Sequence, residues 1–240
     1  MNAIVTEKLT KRYKDVTAVD GLSLSVKKGE LFALLGVNGA GKTTAVKMLC
    51  GITEPTDGNA WLSGKSIVTE LRAVKGIIGV SPQETAVAPN LTVKENLELM
   101  CGVHGFSGNV KKQKVRELLK SFGLSDTAGK RASKLSGGWQ RRLSIAMALI
   151  SEPEILFLDE PTLGLDVIAR SELWELVQSF KAEKTVILTT HYLEEAEALS
   201  DRIGIMKGGR LLRVGTAAEI KASAGAETLE EAFIKTVKEL

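Results

Sequence analysis

The sequence has little of several features that would point to particular classes of protein. Its 240 residues contain only two cysteines, Cys50 and Cys101, which stand neither in a Cys-x-x-Cys pair nor near a histidine cluster. A disulfide framework and a zinc site are therefore not expected. The longest apolar runs fall far below the roughly 18 residues that a membrane span needs. The first residues lack a basic and then apolar signal segment, so we expect a cytosolic chain whose membrane role, if any, depends on a partner.

Excess charge is also missing. The chain has 32 Lys and Arg against 29 Asp and Glu, a net charge of +3. This is too small to indicate a polyanionic partner, and we expect no nucleic acid to bind. With 44% hydrophobic and 25% charged residues, the composition is that of a globular chain and excludes a disordered or fibrous protein. The ligand has to be identified from motifs.

Apolar runs and turn residues predict an α/β core. Residues 30–35 form a continuous apolar run that stops at Gly36, as expected of a strand buried on both faces of a parallel sheet. Asp57-Gly58 is predicted to form a hairpin turn. Further strands are predicted at 77–80, 155–158 and 185–190, a hairpin at 202–206 and 210–214, and helices at 42–50 and 169–183.

The middle of the sequence changes to a helical period. Thr92 and Glu95 form a capping box before a predicted helix, and further helices are predicted at 111–122 and 137–150. Two more capping boxes, at 216–219 and 228–231, open a helical tail. We predict four segments, namely an α/β core with a β-rich N-terminal part (1–87), a helical subdomain (88–150), the second part of the core (151–216) and a C-terminal helical tail (217–240).

Residues 36–43 read Gly-Val-Asn-Gly-Ala-Gly-Lys-Thr and complete a phosphate-binding pattern of strand, Gly-x4-Gly-Lys-Thr and helix. Its glycines permit the tight turn in which backbone N–H groups surround phosphates. Lys42 is predicted to meet the β and γ phosphates and Thr43 to hold Mg²⁺. The predicted nucleotide contacts of this loop are Gly36, Asn38, Gly39, Gly41, Lys42, Thr43 and Thr44.

Two carboxylates follow the run at 155–158. A phosphate loop needs a second Mg²⁺ anchor and a group that positions the attacking water, and Asp159 and Glu160 stand where a buried strand ends. We predict Asp159 as the metal ligand and Glu160 as the general base. A helix N-cap with a solvated neighbour is the alternative interpretation, although Pro161 directly after two acids makes it less typical.

Ser136, followed by Gly137 and Gly138, is predicted to begin a helix with free N–H groups that face an anion. By itself this is an ordinary helix cap. A second phosphate-type site in a chain with one nucleotide loop is nevertheless explained by a symmetric dimer, in which Ser136 of each subunit completes the site of the other.

Together these motifs resemble the ATP-binding cassette (ABC) ATPase subunits. The phosphate loop, Gln83, 135–138, 155–160, 163–166 and His191 follow that family's order and spacing over nearly the whole chain. The resemblance implies a P-loop NTPase fold, a mixed sheet with flanking helices and an inserted helical subdomain, with ATP and Mg²⁺ as cofactors. It further implies that ATP binding closes a dimer, and that Glu160-assisted hydrolysis then opens it to drive a separate membrane subunit.

The resemblance also implies roles for single residues. Tyr13 would stack on adenine, Gln83 would touch Mg²⁺ and water, and His191 would act in catalysis at the γ-phosphate, beside Lys42 and Glu160. Ser136 and Gly138 would reach the ATP of the opposite subunit, with Asp166 at the dimer seam. The partners implied are a second ATP-binding subunit, identical or not, and a transmembrane permease that holds the chain at the cytoplasmic face of the membrane. The tail at 228–233 resembles motor subunits of drug, lipid or polysaccharide exporters.

Two residues depart from the family pattern. Trp139 stands where Gln is usual, and Leu163 stands where a small polar residue begins the loop to Asp166. Two alternatives stay open. One is a soluble cassette ATPase that acts on ribosomes or DNA, and the other is a nucleotide-gated module in which Trp139 and Leu163 have abolished hydrolysis. A small-molecule P-loop kinase would leave Ser136 and His191 without a role.

Overall fold

The computed structural model describes residues 1–238, as ten strands and nine α-helices. The strands are β1 Asn2–Tyr13, β2 Val16–Lys27, β3 Leu31–Leu35, β4 Asp57–Leu62, β5 Lys65–Ser66, β6 Ile78–Ser81, β7 Ile155–Asp159, β8 Thr185–Thr190, β9 Arg202–Lys207 and β10 Arg210–Gly215. The helices are α1 Lys42–Leu49, α2 Leu71–Lys75, α3 Val93–Val103, α4 Gly108–Ser121, α5 Gly137–Ala148, α6 Val167–Gln178, α7 Leu193–Leu199, α8 Ala217–Ser223 and α9 Leu229–Lys238. Over residues 1–238, no helix combines the length and apolar character needed to cross a bilayer.

A six-stranded mixed sheet of order β10-β9-β3-β8-β7-β6 forms the centre of the fold. Its strands are parallel except β10, which is antiparallel to β9. Every residue of β3, β7 and β8 is buried, which explains why each of these strands contains an uninterrupted run of at least three apolar residues. Because the carboxyl ends of parallel strands meet at one edge, the loops that follow β3, β6, β7 and β8 come together there.

A second, antiparallel sheet has the order β2-β1-β4-β5. Along β2, Leu22, Leu24 and Val26 are buried and alternate with exposed residues, so one face of this sheet is apolar. That face contributes to a hydrophobic core shared with α1 and the central sheet. Strands β1 and β2 form a hairpin, with Tyr13 paired to Val16 at its tip.

Helices α3, α4 and α5 lie between β6 and β7 in the chain and share a second core with β7 and β8. The predicted capping box at the start of α3 is confirmed, because Thr92 Oγ1 accepts from the Glu95 N–H at 3.2 Å and the Glu95 carboxylate accepts from the Thr92 N–H at 2.7 Å. Leu97 and Cys101 are fully buried on the inner face of α3. The four-segment division of the chain stays a prediction, and residues 239–240 of its last segment lie outside the described part.

Asp57-Gly58 does not form the predicted hairpin turn. These residues begin β4, and Asp57 pairs with Thr10 of β1. Gly58 has φ 75°, and a Cβ there would lie 2.3 Å from the Lys8 carbonyl oxygen. The glycine therefore permits a close approach of two strands, which is the other common reason for glycine in such a pattern.

The other local differences concern helix ends. The box predicted at Thr228 is only half formed, because Thr228 Oγ1 accepts from the Glu231 N–H but the Glu231 carboxylate accepts from the Glu227 N–H. Helix α4 begins three residues earlier than predicted, and α6 runs from Val167 to Gln178 where 169–183 was expected. Such ends depend on packing as much as on local sequence.

Candidate functional site

The phosphate loop joins β3 to α1 at the carboxyl edge of the central sheet. Gly41 is the N-cap of α1 with φ 101°, and a Cβ there would lie 2.4 Å from the Ala18 carbonyl oxygen. Only glycine satisfies both constraints. The loop therefore presents its backbone N–H groups and the positive end of α1 to the same space, an arrangement that binds phosphate.

Lys42 is almost completely buried beneath this loop, with 4% of its surface exposed. Its Nζ donates to the carbonyl oxygens of Gly36 at 2.7 Å and Val37 at 3.2 Å, and lies 3.4 Å from Glu160 Oε1. The ammonium group is thus held at the centre of the loop by neutral acceptors and one carboxylate. In this position the Lys42 ammonium group would pair with the negative charge of bound phosphates.

Thr43 and Asp159 provide two neighbouring oxygen atoms beside the loop. Thr43 Oγ1 donates to Asp159 Oδ1 at 3.1 Å, and Thr189 Oγ1 donates to the same oxygen. Mg²⁺ usually binds through one or two protein oxygens together with substrate phosphates. A hydroxyl and a buried carboxylate side by side fit that requirement, so Thr43 and Asp159 are the residues that would hold the ion.

Glu160 follows β7 with φ 47°, a conformation rare for residues other than glycine. Its N–H donates to Thr189 Oγ1 at 3.0 Å and to the Thr189 carbonyl at 3.1 Å, and these bonds hold the strained backbone in place. Its carboxylate lies between Lys42 and His191, whose Nδ1 is 3.2 Å from Glu160 Oε2 without hydrogen-bond geometry. The predicted base and two predicted catalytic groups therefore meet at one point.

These groups open into a cavity of about 640 Å³. Its lining includes most of the predicted site residues, namely Asn38, Gly39, Gly41, Lys42, Thr43, Thr44, Gln83, Glu160 and His191. Tyr13 does not line it, whereas Val16, Thr17 and Ala18 of the neighbouring strand do. Tyr13 is half exposed at the hairpin tip with Lys11 Nζ 5.0 Å from its ring centre, so its adenine contact stays a prediction.

Ser136 and Gly138 do not line this cavity. Ser136 is exposed at the N-cap of α5, and its hydroxyl makes no capping bond, contrary to an ordinary helix cap. A Cβ at Gly138 would lie 3.0 Å from Ala169 Cβ, so the start of α5 packs closely on α6. An exposed serine hydroxyl that its own helix does not use remains available to a ligand from outside the chain.

The two atypical residues have different surroundings. Trp139 is partly buried against the core of the helical region, and the Arg142 guanidinium lies 5.3 Å from its ring centre. Leu163 is 36% exposed and lines the cavity, followed by Asp166, which caps α6 by accepting from the Ala169 N–H at 2.9 Å. Trp139 thus packs within its own chain, while Leu163 projects into the site.

Sequence reasoning missed Glu195, a carboxylate that is fully buried behind the site. Its Oε1 accepts from Thr162 Oγ1 at 2.8 Å and from Trp174 Nε1 at 3.2 Å, while within residues 1–238 no group donates to its Oε2 with hydrogen-bond geometry. Burial raises the pKa of this carboxyl above its ordinary value, and the hydrogen bonds only partly offset that effect. The Glu195-Ala196 pair on a short helix carried no signal of burial.

Replacing Glu195 by Gln is expected to stabilise the protein increasingly as pH rises. A carboxyl with a raised pKa in the folded state contributes its full stability below its ordinary pKa of 4.5, and loses it as pH increases toward the raised value. Gln keeps the acceptor for Thr162 and Trp174 without ionising. Near pH 4.5 the Tm of E195Q should match wild type, and at pH 8 it should be higher by about 2–4 °C. A control at exposed Glu194, E194Q, should show no such trend; an E195Q protein less stable at every pH would contradict this account.

The fold and the site define a P-loop ATPase of α/β architecture. The family model described as ABC transporter matches residues 19–163. Over 229 residues the chain is 44% identical to the daunorubicin resistance ATP-binding protein DrrA3 of Streptomyces coeruleorubidus, covering 95% of this chain and 72% of that protein. It is 39% identical over 241 residues to the probable multidrug ABC transporter ATP-binding protein YbhF of Escherichia coli, covering 98% of this chain and 41% of that protein.

Comparison with solved structures indicates the same family as the sequence comparisons. The chain superposes with a TM-score of 0.80 and 29% identity on the ATP-binding cassette MJ0796, whose structure is a dimer in a post-hydrolysis state bound to ADP and Pi; 89% of this chain and 98% of that chain are covered. The chain belongs to the ABC transporter family, in which it is an ATP-binding, ATP-hydrolysing subunit. The resemblance inferred from the motifs and the α/β fold class are thereby confirmed.

Proposed function

We propose that two copies of this chain, or one copy and a related subunit, enclose ATP between them and drive a separate transmembrane permease from the cytoplasmic face of the membrane. The carrying observation is the Glu160 carboxylate, held between Lys42 and His191 at the wall of a cavity that Gln83 also lines. The names of the relatives favour export of a drug-like molecule, since DrrA3 is called a daunorubicin resistance protein and YbhF a probable multidrug transporter protein.

The residues of this site take separate parts in the reaction. The glycine loop and Lys42 bind the phosphates, and Gln83 and His191 orient the attacking water and the γ-phosphate. Glu160 accepts a proton from that water as its oxygen forms a bond to the γ-phosphorus. The bond from the γ-phosphorus to the bridging oxygen then breaks, and ADP and phosphate result. Mg²⁺, held by Thr43 and Asp159, would neutralise charge on the phosphates.

The exposed N-cap residue Ser136, whose hydroxyl makes no capping bond, supports the proposed dimer. Its hydroxyl and the first N–H groups of α5 form an anion-binding helix end outside the cavity of their own chain. In a dimer these groups would contact the γ-phosphate held by the other copy. ATP then binds the closed state better than the open one, and hydrolysis removes the differential contacts and lets the copies separate.

A mixing experiment tests whether Ser136 acts on the opposite subunit. Ser136→Glu should abolish ATP turnover by placing a carboxylate near the γ-phosphate, yet an acid at a helix N-terminus does not disturb the fold. Lys42→Ala should be inactive for a different reason. In an equal mixture, about half of the dimers contain one copy of each variant. One of the two sites in such a dimer keeps Lys42 from one copy and Ser136 from the other, so phosphate release should reappear at up to about a quarter of the wild-type rate. Full activity of S136E alone would contradict the proposed contact.

A further inference from the structure

Arg141 is a second buried cation that no motif predicted. It lies on α5 with only 5% of its surface exposed, and among the ion pairs of residues 1–238 it has no carboxylate partner. Burial lowers the pKa of its guanidinium from the ordinary value, with the Asp159 carboxylate opposing this effect. Burying a charge without a partner ion is costly unless its hydrogen bonds are satisfied, so the groups that accept from Arg141 stabilise its buried charge.

The guanidinium bonds two consecutive backbone carbonyls of the loop after β6. Arg141 Nη1 donates to the Pro82 oxygen at 2.6 Å, and Nη2 donates to the Gln83 oxygen at 2.5 Å. The planar guanidinium can donate from two nitrogens at once, which an ammonium group cannot reproduce. One turn along the same face of α5, the hydroxyl of Ser144 is 2.9 Å from that of Ser81. Three consecutive residues, 81–83, are thus fastened to one face of one helix.

This loop has few other attachments. Within residues 82–87, and among the hydrogen bonds of the described part of the chain, only the two from Arg141 reach the loop backbone. The next bond along the chain is at Ala88, whose N–H donates to Asn96 Oδ1. The side chain of Gln83 is exposed and lines the nucleotide cavity. The position of the Gln83 backbone therefore depends on Arg141.

We propose that Arg141 is a positioning residue that holds Gln83 at the nucleotide and joins it to Ser136 at the start of the same helix. The inference rests on the proposed role of Gln83 in the ATP site. Because α5 begins directly after Ser136, a displacement of this helix moves both the Ser136 end and the Gln83 backbone. Closure of the dimer on ATP and the placement of Gln83 are then one event, and a helix that moves away withdraws both groups together.

Replacing Arg141 by Met keeps most of the apolar side-chain volume and removes both hydrogen bonds. ATP turnover by the full chain should fall about 10- to 100-fold in kcat, as expected for a misplaced catalytic group. The KM for ATP should stay within about threefold, because Lys42 and the glycine loop still bind the phosphates. Arg141→Lys, which donates from a single nitrogen, should lie between wild type and R141M.

A double-mutant cycle with Gln83→Ala separates positioning from general damage. If Arg141 acts through Gln83, R141M/Q83A should be no slower than Q83A alone. Leu143→Ala is the matched control, since Leu143 is fully buried on the same helix and its side chain makes no hydrogen bond to the loop. L143A should lower Tm. The fold-change in kcat of L143A/Q83A should equal the product of the fold-changes of the two single variants. Multiplicative effects of R141M and Q83A would overturn the proposal.

A second readout does not require hydrolysis. Cys50 and Cys101 are both buried, so a nitroxide attached to Glu84→Cys, beside Gln83 and exposed, labels the loop selectively. R141M should narrow the nitroxide spectrum as the loop becomes mobile, and L143A should not. An unchanged spectrum in R141M would overturn the proposal. A different result would overturn the proposed function, namely normal ATP turnover in a Glu160 variant. That result has no bearing on the nitroxide measurement.

Discussion

Replacing Glu160 by Gln is expected to lower ATP turnover by roughly 10² to 10⁴-fold, the usual contribution of a general base. Gln has nearly the same shape but does not accept the proton of the attacking water. Lys42 keeps its bonds to the Gly36 and Val37 carbonyls, so the affinity for ATP should persist. Phosphate release measures the loss, and size-exclusion chromatography with ATP should show an accumulated dimer because its opening step is blocked.

Glu183→Gln is a suitable control for that experiment. Glu183 is exposed and lies after α6. Among residues 1–238, its side chain makes no hydrogen bond and no ion pair. The E183Q protein should hydrolyse ATP at the wild-type rate and should not accumulate an ATP-dependent dimer. Normal turnover in E160Q would contradict the assignment of Glu160 as the base, whatever the oligomeric state.

Replacing Lys42 by Ala should act on binding instead of on the chemical step. The Lys42 ammonium group lies directly under the phosphate loop, 3.4 Å from Glu160 Oε1. Hydrogen bonds to charged groups are worth about 1.5–3 kcal/mol, so the affinity for a slowly hydrolysed ATP analogue should fall by roughly 10- to 100-fold. Isothermal titration calorimetry measures this directly.

Lys47→Ala on the same helix is the control for K42A. Lys47 is exposed and does not line the cavity, so its loss should leave the affinity unchanged. An unchanged affinity in K42A itself would contradict the role of the phosphate loop. Because E160Q changes turnover and K42A changes binding, the two variants test different parts of the site.

Parts of the fold could be predicted from local sequence because burial on both faces leaves a direct mark. Strands β3, β7 and β8 each contain an uninterrupted apolar run, and each ends where a functional loop begins. The two long N-terminal strands were not predicted individually, although Leu22, Leu24 and Val26 of β2 alternate with polar residues. Their pairing shifts register between Thr6 and Leu9 and again between Leu9 and Lys11, and such bulges interrupt the alternation from which a strand is recognised.

The site was predictable to a similar extent. Lys42, Thr43, Asp159 and Glu160 stand in motifs whose spacing fixes their place at strand ends, and the structure brings them together. Arg141 could not be found in this way. Two adjacent arginines, Arg141 and Arg142, look alike in sequence, and only the packing of α5 shows that one is buried against a loop while the other pairs with Glu172.

The sequence by itself determined the phosphate loop, the buried parallel strands and the family, because these depend on short segments whose residue types are dictated by backbone geometry and burial. Tertiary structure alone decided that Asp57 and Gly58 join a strand, that Glu195 is buried and that Arg141 holds the Gln83 loop. Each of these depends on a contact with a segment distant along the chain, for example Glu195 with Thr162 or Arg141 with Gln83. Such a contact contributes to stability only when the two segments come together in the fold. The sequence of either segment alone therefore does not reveal it.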